Sequence, residues 1–192
     1  MTVPKILAFA GSLRKDSFNK RLVRIAADAA RAAGAEVTTI DLRDLLLPVY
    51  DGDLEAAGGL PENARKLKEL FLAHHGLLMS CPEYNSSVTA AWKNAIDWVS
   101  RPVPGEAPLA GFTGKVAAIM SASPGALGGL RGLVHVRAIL CNINVLVLAE
   151  QVAVPKAHEA FADDGSLKDA RQQASIRQLG EKLAAVLKKL AG

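Results

Sequence analysis

Lys5-Ile6-Leu7-Ala8-Phe9-Ala10 runs directly into Gly11-Ser12-Leu13-Arg14-Lys15-Asp16-Ser17-Phe18-Asn19. After its lysine the first segment is continuously apolar and ends at a glycine, the pattern of a short strand buried on both faces of a parallel sheet. From Asn19 to Ala33 the apolar residues Leu22, Ile25, Ala26 and Ala29 recur at helical spacing, with Arg21, Arg24 and Arg31 distributed around them. Gly34 stops that helix, and Glu36 to Ile40 reads as the next strand. One βαβ unit therefore occupies the first forty residues. The turn between its first strand and its helix lies where a parallel α/β sheet holds a phosphate.

The same alternation continues outward from this unit. Asp41 to Gly59 is an irregular excursion with room for one short helical turn, and Pro61 starts a helix whose inward stripe is Leu67, Leu70 and Phe71. His75 to Cys81 reads as the third strand, Thr89 to Val99 as a helix, Lys115 to Ser121 as the fourth strand, Leu130 to Cys141 as a helix and Val145 to Leu148 as the fifth strand. A closing helix turns Ile176, Leu179, Leu183, Val186, Leu187 and Leu190 to one side. Strands alternating with helices imply an α/β domain, expected to span residues 1–192 as one unit, with helices on both faces of a parallel sheet. Ligands belong at the carboxyl edge of such a sheet, where the winding reverses.

Composition narrows the function classes. The chain has 192 residues, 50% of them hydrophobic, with 23 basic and 19 acidic residues giving a net charge of +4. The basic residues are dispersed and seldom flank aromatics, so nucleic-acid binding is not expected. Cys81 and Cys141 form neither a disulfide framework nor a metal knuckle, and the four histidines show no zinc spacing. The Met1 to Phe9 segment lacks the features of a secretion signal, and no apolar run approaches membrane-spanning length. The expectation is a soluble cytoplasmic protein without a membrane partner.

Three loops reach the same sheet edge. The first offers Ser12, Ser17 and Asn19 as hydrogen-bond donors, Arg14 as a cation and backbone N–H groups at a helix start, a set suited to a terminal phosphate. It lacks the glycines of a dinucleotide fingerprint and the lysine of a triphosphate loop, which favours a mononucleotide. The same residues also suit a solvated turn with a capping serine or asparagine. The second loop, Cys81-Pro82-Glu83-Tyr84-Asn85-Ser86-Ser87, presents backbone amides and Asn85 beside an aromatic ring and could read a flat heterocycle; equally, Tyr84 could cover the core edge. The third, Ser121 to Gly129, lets backbone approach a ligand closely through its glycines. Trp92 is expected in the core, and His74 and His75, at the opposite end of the third strand, on the surface.

These motifs together resemble the NADPH-dependent FMN reductases, a group of flavodoxin-like proteins that includes quinone, azo-dye and chromate reductases. The resemblance rests on Gly11-Ser12-Leu13-Arg14 with Ser17 and Asn19, on Pro82-Glu83-Tyr84-Asn85 followed by Lys93-Asn94-Ala95-Ile96-Asp97-Trp98, and on the Ser121 to Gly129 loop with Arg131. It implies a flavodoxin-like three-layer sandwich with a five-stranded parallel sheet in the order 2-1-3-4-5. It further implies that Ser12, Arg14, Ser17 and Asn19 hold the FMN phosphate, that Pro82, Glu83, Tyr84 and Asn85 line the ring and ribityl region, and that Ser121, Ser123 and Gly125 complete the wall. NADPH or NADH would be the electron donor, a quinone, chromate, azo compound or flavin the acceptor, and the assembly a homodimer or homotetramer with Arg101 near an interface or the nicotinamide nucleotide. No catalytic acid or base is implied, because the flavin carries the difficult chemistry. Ser86, Thr89, Ala90 and Trp92 depart from the residues usual at those positions in the family. An electron-carrying flavoprotein that does without a nicotinamide nucleotide is the second reading, and an α/β protein that has lost its cofactor the third.

Overall fold

The computed structural model describes residues 2–191. Five parallel strands, β1 (Lys5–Ala10), β2 (Glu36–Ile40), β3 (Gly76–Ser80), β4 (Val116–Ala122) and β5 (Leu146–Val154), form one sheet in the order β2-β1-β3-β4-β5. The helices are α1 (Phe18–Ala32), α2 (Gly52–Gly58), α3 (Glu62–Ala73), α4 (Ala90–Val99), α5 (Leu130–Asn142), α6 (Ala157–Ala160) and α7 (Ala170–Leu190). This is the flavodoxin-like three-layer sandwich. β1 continues to β2 on one side and its other neighbour is β3, so the winding reverses between β1 and β3.

The pleat explains the layers. Ile6, Ala8 and Ala10 of β1 point to the face covered by α1 and α7, while Leu7 and Phe9 point to the face covered by α3, α4 and α5. Every residue of β3 and β4 is buried, as central parallel strands require. α1 and α7 approach so closely at Ala26 and Gly180 that a methyl group on Gly180 would overlap the Ala26 carbonyl.

The closing helix buries Ile176, Leu179, Leu183 and Leu187 as its periodicity predicts, but Leu190 lies 64% exposed beyond the end of the contact. β5 is longer than its apolar run. Between Ala117↔Val147 and Ile119↔Gln151 the register slips, leaving extra residues on β5, and Arg137 donates to the Val147 and Ala149 carbonyls and to Gln151 Oε1 beside this bulge. Polar residues in the bulge hid the strand's second half from an apolar reading.

The amino end of the sheet corrects the expectation for His74. It is buried, with Nδ1 against the Leu70 carbonyl at 2.6 Å and Nε2 against Thr38 Oγ1 at 2.7 Å, so it ties α3 to β2. His75 accepts from the Lys5 N–H. Lys115 is buried beside them and donates to the His74 carbonyl, and burial pushes its ammonium pKa down to about 8. From about pH 8 to the unfolded value near 10.5 the unfolded chain binds the extra proton, so folding stability must rise with pH through that window. We expect the urea midpoint of the wild type to gain stability equivalent to about 2 kcal/mol between pH 8 and 10 relative to Lys115→Met. Parallel midpoints would refute the assignment.

Candidate functional site

The carboxyl edges of β1, β3 and β4 extend past the strands as a continued ladder. The Gly11 N–H donates to the Ser80 carbonyl at 2.9 Å, and Cys81 N–H donates to the Met120 carbonyl at 2.8 Å. The loops that follow are therefore anchored side by side. Gly11 is required at the first: a Cβ there would come within 2.8 Å of the Trp92 Cβ. Trp92 is fully buried, and Thr89, the N-cap of α4, donates to the Gly11 carbonyl at 2.6 Å while accepting from the Trp92 N–H. The departures from the family pattern at Thr89 and Trp92 thus sit behind the first loop and brace it.

Asn19 fastens all three loops. Its Nδ2 donates to the Ala122 carbonyl at 2.8 Å, and its Oδ1 accepts from Ser80 Oγ at 2.8 Å and from the Ala122 N–H at 3.0 Å. Its buried carboxamide makes three of the four hydrogen bonds open to it inside the protein, so the side chain ties the loops together at the base of the cleft that it also lines.

Other first-loop groups remain available. Ser17 is the N-cap of α1 by position, yet its hydroxyl makes no cap hydrogen bond. Ser12 Oγ accepts from the Arg14 N–H at 3.2 Å, which folds the loop back on itself. Arg14 is exposed at the rim, and among the described residues its guanidinium has no carboxylate partner. Hydroxyls, a guanidinium and the positive end of a fifteen-residue helix thus converge on one point.

The second loop is a two-residue hairpin. Tyr84 and Ser87 exchange both backbone hydrogen bonds at 3.0 Å, with Asn85 at φ 51° and Ser86 at φ 64°. That left-handed pair is the geometry in which Asn-Gly is favoured, so Ser86 holds a conformation that glycine would adopt with less strain. Asn85 thus sits at the hairpin tip and does not line the cleft. Tyr84 stands 54% exposed on the rim, not over the core edge. The Glu83 carboxylate is engaged by α5: it accepts from Arg131 at 2.6 Å and from the Gly132 N–H at 3.0 Å, fixing the loop to the start of that helix. Burial pushes this carboxyl up, but the Gly132 N–H and the Arg131 guanidinium outweigh it and hold the pKa below the ordinary value.

The third loop corrects the expectation for Ser121. It is fully buried beneath Gly129, its hydroxyl without a hydrogen-bond partner among the described residues, and cannot form a ligand wall. Gly125 is exposed next to Pro124, and its N–H donates to Ser123 Oγ at 3.3 Å. The lining instead comes from Ala122, Ser123 and Pro124, opposite Phe18 of α1 and Pro82 to Tyr84. Phe18, Ala122 and Pro124 escape a reading of donors and glycines because they contribute surface, not chemistry. The cleft itself holds only about 60 Å³.

A family model described as NADPH-dependent FMN reductase matches residues 4–159. An NAD(P)H-dependent FMN reductase of Pseudomonas aeruginosa is 34% identical over 190 residues, covering 98% of this chain and 97% of its own length. A quinone reductase of Escherichia coli is 36% identical over 144 residues, 75% of this chain and 73% of that protein. Among solved structures, the flavoenzyme NAD(P)H:(acceptor) oxidoreductase FerB of Paracoccus denitrificans superposes with a TM-score of 0.81 at 28% identity, over 97% of this chain and 98% of that one. An archaeal flavodoxin reaches a TM-score of 0.63 at 11% identity over 96% of this chain and 99% of its own, a likeness of fold alone.

Proposed function

We propose that this chain, which belongs to the NADPH-dependent FMN reductase family, binds its FMN in the cleft between the three loops and reduces a small planar acceptor there, a quinone foremost. At the coarser level the chain is an FMN-binding oxidoreductase that uses NAD(P)H to reduce an acceptor. The observation that carries the placement is the set of uncommitted donors at the head of α1, Ser17 Oγ and the Arg14 guanidinium, beside Ser12. A phosphate monoester needs that chemistry, and a merely solvated turn would use Ser17 as its cap.

When bound, FMN supplies the two-electron chemistry, taking a hydride from NAD(P)H and passing electrons to the acceptor. The protein's part is to hold and orient. Ser12, Arg14, Ser17 and the first N–H groups of α1 would hold the phosphate, and Pro82 to Tyr84 with Ala122 to Pro124 would line the ring. Glu83 is paired with Arg131 and the Gly132 N–H, so proton supply would fall to solvent rather than to this carboxylate. A quinone is favoured because relatives named as quinone reductases match across most of the chain. Chromate, azo compounds and free flavin are the other acceptors within this chemistry. We place the protein in the cytoplasm as a homodimer or homotetramer.

An electron carrier of the same fold would dock through a strongly acidic surface, which a chain with a net charge of +4 lacks. Anaerobic mixing of the FMN-loaded protein with NADPH or NADH decides between the two: bleaching of the flavin absorbance supports the reductase, and a persistent oxidised spectrum the carrier. Arg14→Ala is expected to weaken FMN binding about tenfold, measured by fluorescence quenching, with unfolding unchanged, since among the described residues the guanidinium has no carboxylate partner to lose. Wild-type affinity in that variant would remove the phosphate from this loop.

A further inference from the structure

The hairpin of the second loop is held from outside by one helix. Tyr84 to Ser87 closes on itself with Asn85 and Ser86 both in the left-handed region, a state that residues other than glycine keep only where neighbouring structure imposes it. Here the first two turns of α5 impose it. On the incoming leg the Glu83 carboxylate accepts from Arg131 and from the Gly132 N–H. On the outgoing leg the Ser87 hydroxyl and His135 Nδ1 share a hydrogen bond of 2.8 Å, across 48 residues of sequence. The two legs straddle Gly132, where a Cβ would lie 3.1 Å from the Ser87 carbonyl oxygen and 3.3 Å from the Glu83 Cβ. His135 follows Gly132 and Arg131 by three and four residues, which puts all three on one side of the helix.

The legs are not equally secured. The Glu83 side chain is 7% exposed and has two partners, one of them a backbone N–H. Ser87 is half-buried and His135 exposed, so the outgoing leg is tied to α5 by one side-chain bond at the edge of solvent. Beyond Ser87 the chain is anchored again at Thr89, which caps α4 and donates to the Gly11 carbonyl. Loss of the His135 bond therefore frees only the segment between Glu83 and Thr89, which carries Tyr84 at the rim of the cleft. Ser12, Arg14 and Ser17, on the first loop, keep every contact they have.

We propose that His135 is a positioning residue of the flavin site: by holding Ser87 against α5 it fixes the Tyr84 to Ser87 hairpin, and through the hairpin the fit of the ring and of the acceptor. The inference rests on the reading of the second loop as the one that lines the ring. Phosphate and ring then depend on different helices, α1 for the first and α5 for the second, and a change at His135 separates the two. A side chain that carries no chemistry itself still governs a site when it locks the loop that does the contacting.

The test compares His135→Leu, Ser87→Ala, the double variant, and His135→Asn, whose carboxamide can replace Nδ1 as the partner of the Ser87 hydroxyl. In the protein without flavin, the Tyr84 and Ser87 amide hydrogens should exchange about tenfold faster in both single variants. The double variant should exchange no faster than either, since each change removes the same bond. In the FMN-loaded protein the dissociation constant for FMN should rise less than about threefold, while KM for 1,4-benzoquinone at saturating NADPH rises about fivefold with kcat within about twofold. The visible circular dichroism of the bound flavin should change as well, and His135→Asn should restore each of these signals. Unchanged amide exchange, additive effects in the double variant or failure of His135→Asn to restore them would overturn the proposal. Faster exchange with wild-type dichroism and wild-type KM would overturn it too, leaving His135 a structural residue only. If the wild type binds no FMN, the reading of the second loop falls, while amide exchange still decides whether His135 holds the hairpin.

Discussion

Asn19→Ala should uncouple the three loops and abolish useful FMN affinity while destabilising the fold by about 3 to 5 kcal/mol. The size follows from what is left behind: the Ala122 N–H and carbonyl and the Ser80 hydroxyl all lose their Asn19 partner, in surroundings from which water is excluded. Each buried polar group stranded in this way costs about 1 to 3 kcal/mol. The loss of affinity has a different origin from that of Arg14→Ala, because what is removed is the tie between the loops. Instead the first loop is no longer held in register with the third, and the donors at α1 no longer face the wall at Ala122 to Pro124. FMN titration should give an affinity at least tenfold weaker, and urea unfolding a lowered midpoint.

Asn19→Asp separates hydrogen bonding from packing. It keeps the shape and both accepted bonds but cannot donate to the Ala122 carbonyl unless protonated. Burial beside a carbonyl raises such a carboxyl above its unfolded value, so the folded variant holds its proton more tightly and is least destabilised below the unfolded pKa. Its deficit against wild type should therefore grow as the pH rises from 4 to 8. A deficit independent of pH would mean that the Ala122 carbonyl does not depend on Asn19.

The second large effect is expected far from the chemistry. Gly180→Leu should lower the thermal midpoint by roughly 10 °C or more, or prevent folding, because α1 and α7 meet there backbone to backbone. A Cβ on Gly180 would lie 2.9 Å from the Ala26 carbonyl carbon and 3.2 Å from the Ala30 nitrogen. Those are backbone atoms on the buried face of α1, so no side-chain rotation relieves the overlap. Gly180→Ala sets the smaller steric change against the roughly 1 kcal/mol by which alanine favours a helix over glycine. We expect the overlap to dominate, and a Gly180→Ala protein more stable than wild type would show that the two helices separate easily.

The residues of the site were legible in the sequence to different depths. The position of the first loop followed from an apolar strand, a glycine and an amphipathic helix in succession, all local signals. Ser12, Arg14 and Ser17 line the cleft between the three loops. Ser121 was drawn toward the ligand because polar residues near a binding loop look like ligand contacts, yet it packs under Gly129, and Asn19, which does line the cleft, also serves as a tie between strands. Glu83 and Arg131 lie 48 residues apart, and nothing in their spacing reveals that they pair. Thr89, likewise, is a helix cap by its local pattern, but its bond to Gly11 spans 78 residues.

The sequence by itself determined the alternation of strands and helices, the sheet edge at which the three loops gather and the charge character of the first loop, because apolar periodicity, turn residues and helix starts act over a few neighbouring positions. Only the tertiary structure decided which polar side chains remain available to a ligand. Hydrogen-bond capacity is finite, and which groups have already used theirs depends on contacts between segments that the chain order keeps apart.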